Sequence, residues 1–253
     1  VIPTIYYDNL FARVETLHGS QADADNPVRR VADGDLALRY YLFDAPGSPA
    51  SGMVSGTLAD ADTRGYYVQA RATSVSGFTV RVYSSDVGGG NQAQHLERVL
   101  SGDESFVAAL SGVGTARRVW WVEYGTNVSG LGACNLYEIM LARQMVFPRG
   151  ASVGVARSTQ QNYQRMDVPG AASFKLRLGE DYRRVTYNFA ATSGEVAGVT
   201  TFLQTNDGGE PFWLVDDLGE GFWAELAESA HDFDDQAGIY LFGVGINEVP
   251  LEQ

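Results

Sequence analysis

Cysteine is nearly absent from this chain of 253 residues: Cys134 stands alone, which excludes an internal disulfide and any cysteine-based zinc module. Long apolar runs are missing too. None approaches the 18 residues a membrane-spanning helix needs. The opening VIPTIYYDNLF lacks the basic start and apolar core of a secretory leader, so a soluble protein is expected. Lysine occurs once, as Lys175, against 17 arginines, and histidine only as His18, His95 and His231. With so few imidazoles and no G-x-S-x-G around any serine, a Ser-His hydrolase has little to build on. Glycine-rich phosphate loops are equally lacking: GGGNQA, GLGACN and GVGINE complete neither a G-K-[ST] nor a G-x-G-x-x-G motif.

What the chain does have is acid. Its formal charge is −13, and the excess is uneven. Residues 1–150 carry 15 acids and 12 arginines, whereas residues 151–253 carry 16 acids and 6 basic residues. After Arg184 no basic residue follows, yet 13 acids do. Such a surface repels a phosphate backbone, so nucleic acid is not expected as a partner. A chain of this length with 45% hydrophobic residues has enough core to fold without metal or disulfide.

Period-two alternation between Gly, Asp, Asn and Ser punctuation dominates the first 150 residues and predicts strands. In GFTVRVYS, Phe78, Val80 and Val82 share one face. In GYYVQARA the same pattern assigns Tyr66, Val68, Ala70 and Ala72 to the interior. RRVWWVEYG and NLYEIMLARQMVF are apolar on both faces, as strands covered on both sides would be. FPRGAS, residues 147–152, coincides with the change in charge balance and sets the expected division: a β-sandwich over 1–149 and an acidic β-rich domain over 150–253. In the latter, strands are expected at 172–178, 182–190, 211–217 and 239–249, and one helix near 194–206. Val196, Val199, Thr200 and Leu203 form the stripe of that helix, with Ser193 as N-cap. GFWAELAESAH, 221–231, reads equally as helix or strand.

Candidate chemistry is sparse. Acidic loops with Asp23 and Asp25, Asp33 and Asp35, and Asp60 and Asp62 offer hard oxygens for calcium, but none completes a twelve-residue calcium loop; as Asx turns they need no ion, so no metal is expected. Asp216-Asp217 and Asp234-Asp235 are expected to be solvated acidic surface. The adjacent aromatics Tyr6-Tyr7, Tyr40-Tyr41, Tyr66-Tyr67 and Trp120-Trp121 each place one ring inward and one outward if extended. An outward ring among Asp, Asn and Arg could stack on a sugar.

The segment order over 1–147 resembles the discoidin, or galactose-binding-like, jelly-roll family. NPVRRVADGDLALRYYL (26–42), TSVSGFTVRVYSSDVGG (73–89), ARRVWWVEYG (116–125) and NLYEIMLA (135–142) carry the resemblance, although Leu38 and Tyr40 replace the family's usual Thr and Trp around Arg39. The resemblance implies ligand-binding loops at one end of the sandwich, here with Asp33, Asp35, Arg39 and Tyr40 and the 86–91 turn as glycan candidates. The layout of the whole chain, YYDNLF before the module and GGEPFWLVDD after it, resembles structural proteins of tailed bacteriophages. That implies a non-enzymatic tail or baseplate protein with a tail-tube-like second domain, no cofactor, and other virion proteins as partners in a ring or other symmetric homo-oligomer. It would be assembled in the host bacterial cytoplasm, and the resemblance adds a host-surface glycan as a further candidate partner. The alternative is a free lectin-like carbohydrate-binding module.

Overall fold

A computed structural model describes residues 1–14, 16–19, 32, 40–43, 51–73, 78–102, 104–125, 134–148, 152–161, 163–166, 174–177, 181–206, 210–227, 234–236 and 239–249. The chain is mainly β and divides into two compact units, Tyr6–Gln144 and Val1–Ile5 with Met145–Gln253. The division expected at 149/150 is thus drawn at 144/145, and the first five residues group with the C-terminal unit.

In chain order the first strands are β1 (Thr4–Tyr7), β2 (Leu17–Gly19), β3 (Tyr40–Phe43), β4 (Ser51–Asp62) and β5 (Tyr66–Thr73). There follow β6 (Thr79–Ser85), β7 (Ala93–Val99), β8 (Phe106–Ala109), β9 (Arg117–Gly125) and β10 (Cys134–Val146). Within Tyr6–Gln144 these make a β-sandwich. One layer is a five-stranded antiparallel sheet in the order β2-β4-β9-β6-β7, and the other has β10 paired with β5 and β3, and β5 paired in turn with β8. The core lies between them: Val54, Val80, Val82, Trp120 and Val122 from the first layer meet Tyr67, Phe106, Leu136, Ile139 and Leu141 from the second. Phe78, Val80 and Val82 are buried as their alternation requires.

On β5 the expectation needs correcting. Tyr67 and Gln69, assigned outward, are fully buried, while Tyr66 is only half-buried. β5 is covered on both faces, so alternation alone could not say which side meets the core. The Tyr67 hydroxyl approaches that of Tyr124 on β9 at 2.5 Å, and the Tyr124 hydroxyl donates to Gln69 Oε1 at 3.1 Å. Gln69 Nε2 donates to the Glu104 carbonyl at 2.9 Å, so these polar groups in the core are satisfied across the two layers. In NLYEIMLARQMVF, Ile139, Met140, Leu141 and Ala142 are all buried, as expected of a doubly covered strand. RRVWWVEYG instead alternates: Trp120, Val122 and Tyr124 are buried, and Trp121 and Glu123 are half-buried on the other face.

The C-terminal unit contains β11 (Ser152–Gln160), β12 (Tyr163–Met166), β13 (Phe174–Arg177), β14 (Tyr182–Thr192), helix α1 (Ser193–Thr205), β15 (Phe212–Val215), β16 (Gly221–Leu226), β17 (Asp234–Gln236) and β18 (Ile239–Glu248). Its main sheet runs β11-β14-β18-β16-β15, antiparallel throughout, while β12 and β13 form a separate hairpin. α1 packs on β14 and β18 with Val199, Phe202 and Leu203 buried. Thr192, not Ser193, is its N-cap: Glu195 Oε2 accepts from the Thr192 backbone N–H at 2.9 Å and from its hydroxyl at 2.7 Å, closing the first turn. Phe147 stacks on Phe189, Phe189 meets Phe242 at a tilt of 32°, and Phe202 meets Phe212 edge to face at 5.3 Å. The ambiguous 221–226 stretch is a strand because it pairs with β15, Trp213 opposite Trp223. Residues 228–231, His231 among them, lie outside the described residues.

Gly221 leaves space that Trp213 fills. A Cβ there would sit 2.7 Å from Trp213 Cζ2, closer than carbon atoms approach. Gly221→Ala is therefore expected to destabilise the C-terminal unit by about 1–3 kcal/mol, as overpacking does. Thermal unfolding followed by tryptophan fluorescence checks this, and an unchanged melting temperature would contradict it.

Candidate functional site on the outer face of the five-stranded sheet

Of the expected glycan residues, Asp33, Asp35 and Arg39 lie outside the described residues, and Tyr40 is described only as the first residue of β3, its Cα opposite Leu136. The 86–91 turn is described. Gly88 and Gly89 have φ of 91° and 82°, values that glycine adopts without the steric penalty of a Cβ. Asp86 Oδ2 accepts from Asn91 Nδ2 at 2.6 Å and Oδ1 from Arg117 Nη1 at 2.7 Å. These bonds hold its carboxyl below the usual range, the bond from Asn91 most strongly. The carboxylate is engaged in shaping the hairpin.

The adjoining sheet face presents a different arrangement. Register places His18, Ser55, Trp121, Tyr83 and Gln94 in one row across β2, β4, β9, β6 and β7. The alternation that buries Trp120, Val122, Val80 and Val82 sends this row outward. Trp121 and Tyr83 stay half-buried, with ring centroids 5.2 Å apart and planes at 15°. Ser55 and Gln94 occupy the positions beyond the two rings, and His18 is exposed at the end of the row. A second row runs Met53, Glu123, Arg81 and Glu97. Arg81 Nε contacts Glu97 Oε2 at 3.3 Å, Gln94 Nε2 donates to the same oxygen at 2.9 Å, and Arg81 Nη1 lies 4.0 Å from Glu123. Burial, then the Glu123 carboxylate, pushes the Tyr83 phenol above its ordinary value. Two parallel rings with amide, carboxylate, guanidinium and hydroxyl groups at their margins can stack on an apolar C–H face and take hydroxyls around it.

The sequence offered no nucleophile beside a base, yet the fold makes such a contact. Ser84 Oγ lies 2.7 Å from His95 Nε2, and His95 Nδ1 lies 2.7 Å from the Ser111 carbonyl. That carbonyl only accepts, so Nδ1 donates to it, and the serine hydroxyl can donate to Nε2. Ser84 is fully buried, however, and His95 stacks on Trp120 at 5.2 Å, so the pair lies in the core out of a substrate's reach. A β-bulge explains why it was missed: Tyr83 pairs with Gln94 but Val82 with Leu96, leaving His95 as the extra residue turned inward.

Asp60 and Asp62, expected in an acidic loop, end β4 instead. Asp62 belongs to a cluster with Asp8, Arg13, Arg64 and Arg143. Asp8, at φ 59° just after β1, contacts Arg13 Nη1 at 3.2 Å, Arg64 Nη2 at 3.3 Å and Arg143 Nε at 3.0 Å. Asp62 contacts Arg64 Nη1 at 2.7 Å and both Arg13 Nη1 and Arg143 Nη2 at 3.4 Å. Cations that a metal would displace already hold these oxygens. Among the described residues no group of three or more His, Cys, Asp or Glu is placed to hold a metal ion.

Asp216, expected on the surface, is fully buried. Its Oδ1 accepts from the backbone N–H groups of Leu218 and Glu220, each at 2.9 Å, closing the β15–β16 turn. Asp217 pairs with Arg157, and Arg183 reaches Glu220 at 2.6 Å and Glu248 at 3.4 Å. Arginines of β11 and β14 thus pair with specific acids of this unit.

No family model matches this chain, and no curated protein does. Similar solved structures include chitosan-binding module 1 from a chitosanase/glucanase of Paenibacillus sp. IK-5, at 15% identity over 53% of this chain and 98% of that one, with TM-score 0.40. The family 32 carbohydrate-binding module of Clostridium perfringens NanJ, in complex with galactose, gives 14% over 56% and 100%, TM-score 0.41. Another Clostridium perfringens module, CBM32-4, in complex with GlcNAc-α-1,4-galactose, gives 16% over 55% and 94%, TM-score 0.40. Likeness at this level carries nothing about function, and the sandwich architecture rests on the chain's own sheets.

The charged cluster makes an acid-sensitive brace. Burial opposes ionisation of Asp62, but Arg64 and the Thr63 N–H outweigh it and hold the carboxyl below its ordinary value. A depressed carboxyl contributes stability that is present above its unfolded value, near pH 4, and is lost as pH falls through the folded value. The gap in melting temperature between the natural chain and Asp62→Asn should therefore narrow on acidification below about pH 4. A gap that stays constant down to that range would remove Asp62 from the brace.

Proposed function

We propose that the protein is a non-catalytic carbohydrate-binding protein whose sandwich unit takes a glycan across the outer face of its five-stranded sheet. The observation that carries this reading is the Trp121–Tyr83 ring pair, held half-buried at the centre of a row that spans all five strands. A cross-strand aromatic pair also steadies its sheet, by roughly 0.2–1 kcal/mol. Sheet stabilisation alone does not account for the surrounding chemistry, in which the amide of Gln94, the Arg81 guanidinium and two carboxylates border the rings. Neighbouring strands lie about 4.8 Å apart, close to the width of one pyranose ring, so the central strands span a short run of sugar units. The margin holds two carboxylates against one guanidinium, which favours neutral over acidic sugars at this face.

The virion role, with its tail-tube-like second domain, ring partners and bacterial-cytoplasm assembly, rests on the layout of segments alone and is not carried into this proposal. The loop site at Asp33, Asp35, Arg39 and Tyr40 is a rival location for the same function. Its variants belong in the same experiment.

A glycan array read with the intact protein tests the proposal. Trp121→Ala and Tyr83→Ala should each weaken binding at least about tenfold while Asp35→Ala and Arg39→Ala leave it unchanged. Circular dichroism confirms that the ring variants fold. Binding that survives loss of both rings but fails in Asp35→Ala or Arg39→Ala would move the site to the loops, and a blank array would overturn carbohydrate binding.

A further inference from the structure

The Asp8–Asp62 cluster holds more positive charge than its own folding role uses. Five charged side chains meet there, from four separate stretches of chain. Asp8 follows β1, Arg13 ends a 3-10 turn over Leu10–Arg13, Asp62 and Arg64 flank the β4–β5 turn, and Arg143 lies near the end of β10. Asn9 fixes the first of these: its Oδ1 accepts from the Phe11 N–H and its Nδ2 donates to the Ile139 carbonyl at 2.9 Å. Arg64 is fully buried, with Nη1 on the Thr63 carbonyl and on Asp62 and Nη2 on Asp8. It is the structural member of the group.

The other two arginines are different. Arg13 and Arg143 keep 50% and 47% of their side-chain surface exposed. Both touch Asp62 Oδ2 at 3.4 Å, so their guanidinium groups meet at one carboxylate oxygen. Arg13 uses only Nη1, and Arg143 only Nε and Nη2, in these contacts. Arg13 Nη2 and Nε and Arg143 Nη1 have no partner among the described residues. Three guanidinium groups face two carboxylates, and among the described residues no further carboxylate lies within ion-pair distance. Two arginines would suffice to neutralise the aspartates. Among the described residues the third leaves a unit positive charge, with part of each exposed guanidinium open to solvent, on a chain whose net charge is −13.

We propose that Arg13 and Arg143 form a binding site for a small oxyanion, a carboxylate or sulfate group, that accepts from their free N–H donors above Asp62. The aspartates orient the two forks and so reduce the ordering cost of binding. A fork matches two oxygens at once, which selects carboxylate, sulfate or phosphate over chloride. The site is separate from the Trp121–Tyr83 face and does not depend on it.

Sodium sulfate, sodium glucuronate and sodium phosphate, each against sodium chloride at matched ionic strength, are titrated into the full-length chain with melting temperature and calorimetric heat as readouts. Sulfate or glucuronate should give a saturable rise in melting temperature that chloride does not, and the ranking of the three anions tells whether a planar or a tetrahedral group fits. Arg13→Gln and Arg143→Gln should each weaken the anion at least about tenfold, and Arg13→Lys, which keeps the charge but loses the fork, should recover only part. Both glutamine variants retain Arg64 and its two aspartates, and circular dichroism before titration verifies the fold. An equal response to chloride, no heat with any oxyanion, or a response that persists in the Arg13→Gln/Arg143→Gln double variant would overturn the site. Loss of glycan binding in Trp121→Ala would leave it untouched.

Discussion

Successive side chains on a strand leave on opposite faces, and in this protein that single constraint organises both the core and the surface above it. Trp120 and Trp121 are adjacent in sequence. Trp120 is fully buried between the layers, and Trp121 is thereby forced outward onto the face where Tyr83 meets it. The same rule acts on β6, where burying Val80 and Val82 turns Arg81 and Tyr83 to the outer face, half-buried. Because β6, β9 and β4 are in register, outward residues from separate stretches of sequence fall into rows. The row is a by-product of packing the core, and its composition gives it the chemistry of a binding face.

Charge is the second organising element. A net charge of −13 suggests an acidic object throughout, yet the arginines are placed where they meet specific carboxylates. In the sandwich unit, Arg64 is buried because Asp8 and Asp62 grip both its Nη atoms; without them a buried guanidinium would cost several kcal/mol. Asp8 accepts a left-handed backbone, φ 59°, to deliver its carboxylate there. In the C-terminal unit, Arg157 and Arg183 draw Asp217, Glu220 and Glu248 into pairs, and Arg183 also lies 4.6 Å above the Phe222 ring. Exposed pairs of this kind add little stability individually. Their effect is to place the arginines beside specific carboxylates.

Much of the architecture was legible in the residues. Alternation identified β6, the 3.6-residue stripe of Val196, Val199, Thr200 and Leu203 found α1, and the Gly-rich 87–91 stretch marked the β6–β7 turn, whereas which of Trp120 and Trp121 faces inward was left open. Where the reading failed, two local signals were equivalent. β5 is buried on both faces, and in the sequence Tyr67 alternates with the polar Gln69 and Arg71, so alternation assigned Tyr67 to the wrong side. Thr192 and Ser193 are both good caps, and the choice fell to whichever residue lay within reach of Glu195. GFWAEL fits a helix stripe and a strand alike; pairing with β15 decided it.

What the sequence determined by itself was local and compositional: strands with one helix and a core large enough to dispense with disulfides; of the aromatic pairs, Tyr66-Tyr67 and Trp120-Trp121 divide between half-buried and buried, whereas Tyr6 and Tyr7 are both buried. What tertiary structure decided was every meeting of residues far apart in the chain. His95 reaches Ser84 only because a bulge turns it inward, Asp216 is buried only because its turn folds around it, and Asp8, Asp62 and Arg143 come together only when β1, β4 and β10 are in place. The physical reason is that periodicity encodes which face a side chain takes within its own strand, whereas its neighbour on that face depends on strand order and register. Those are set by long-range pairing, which leaves no mark in the local pattern.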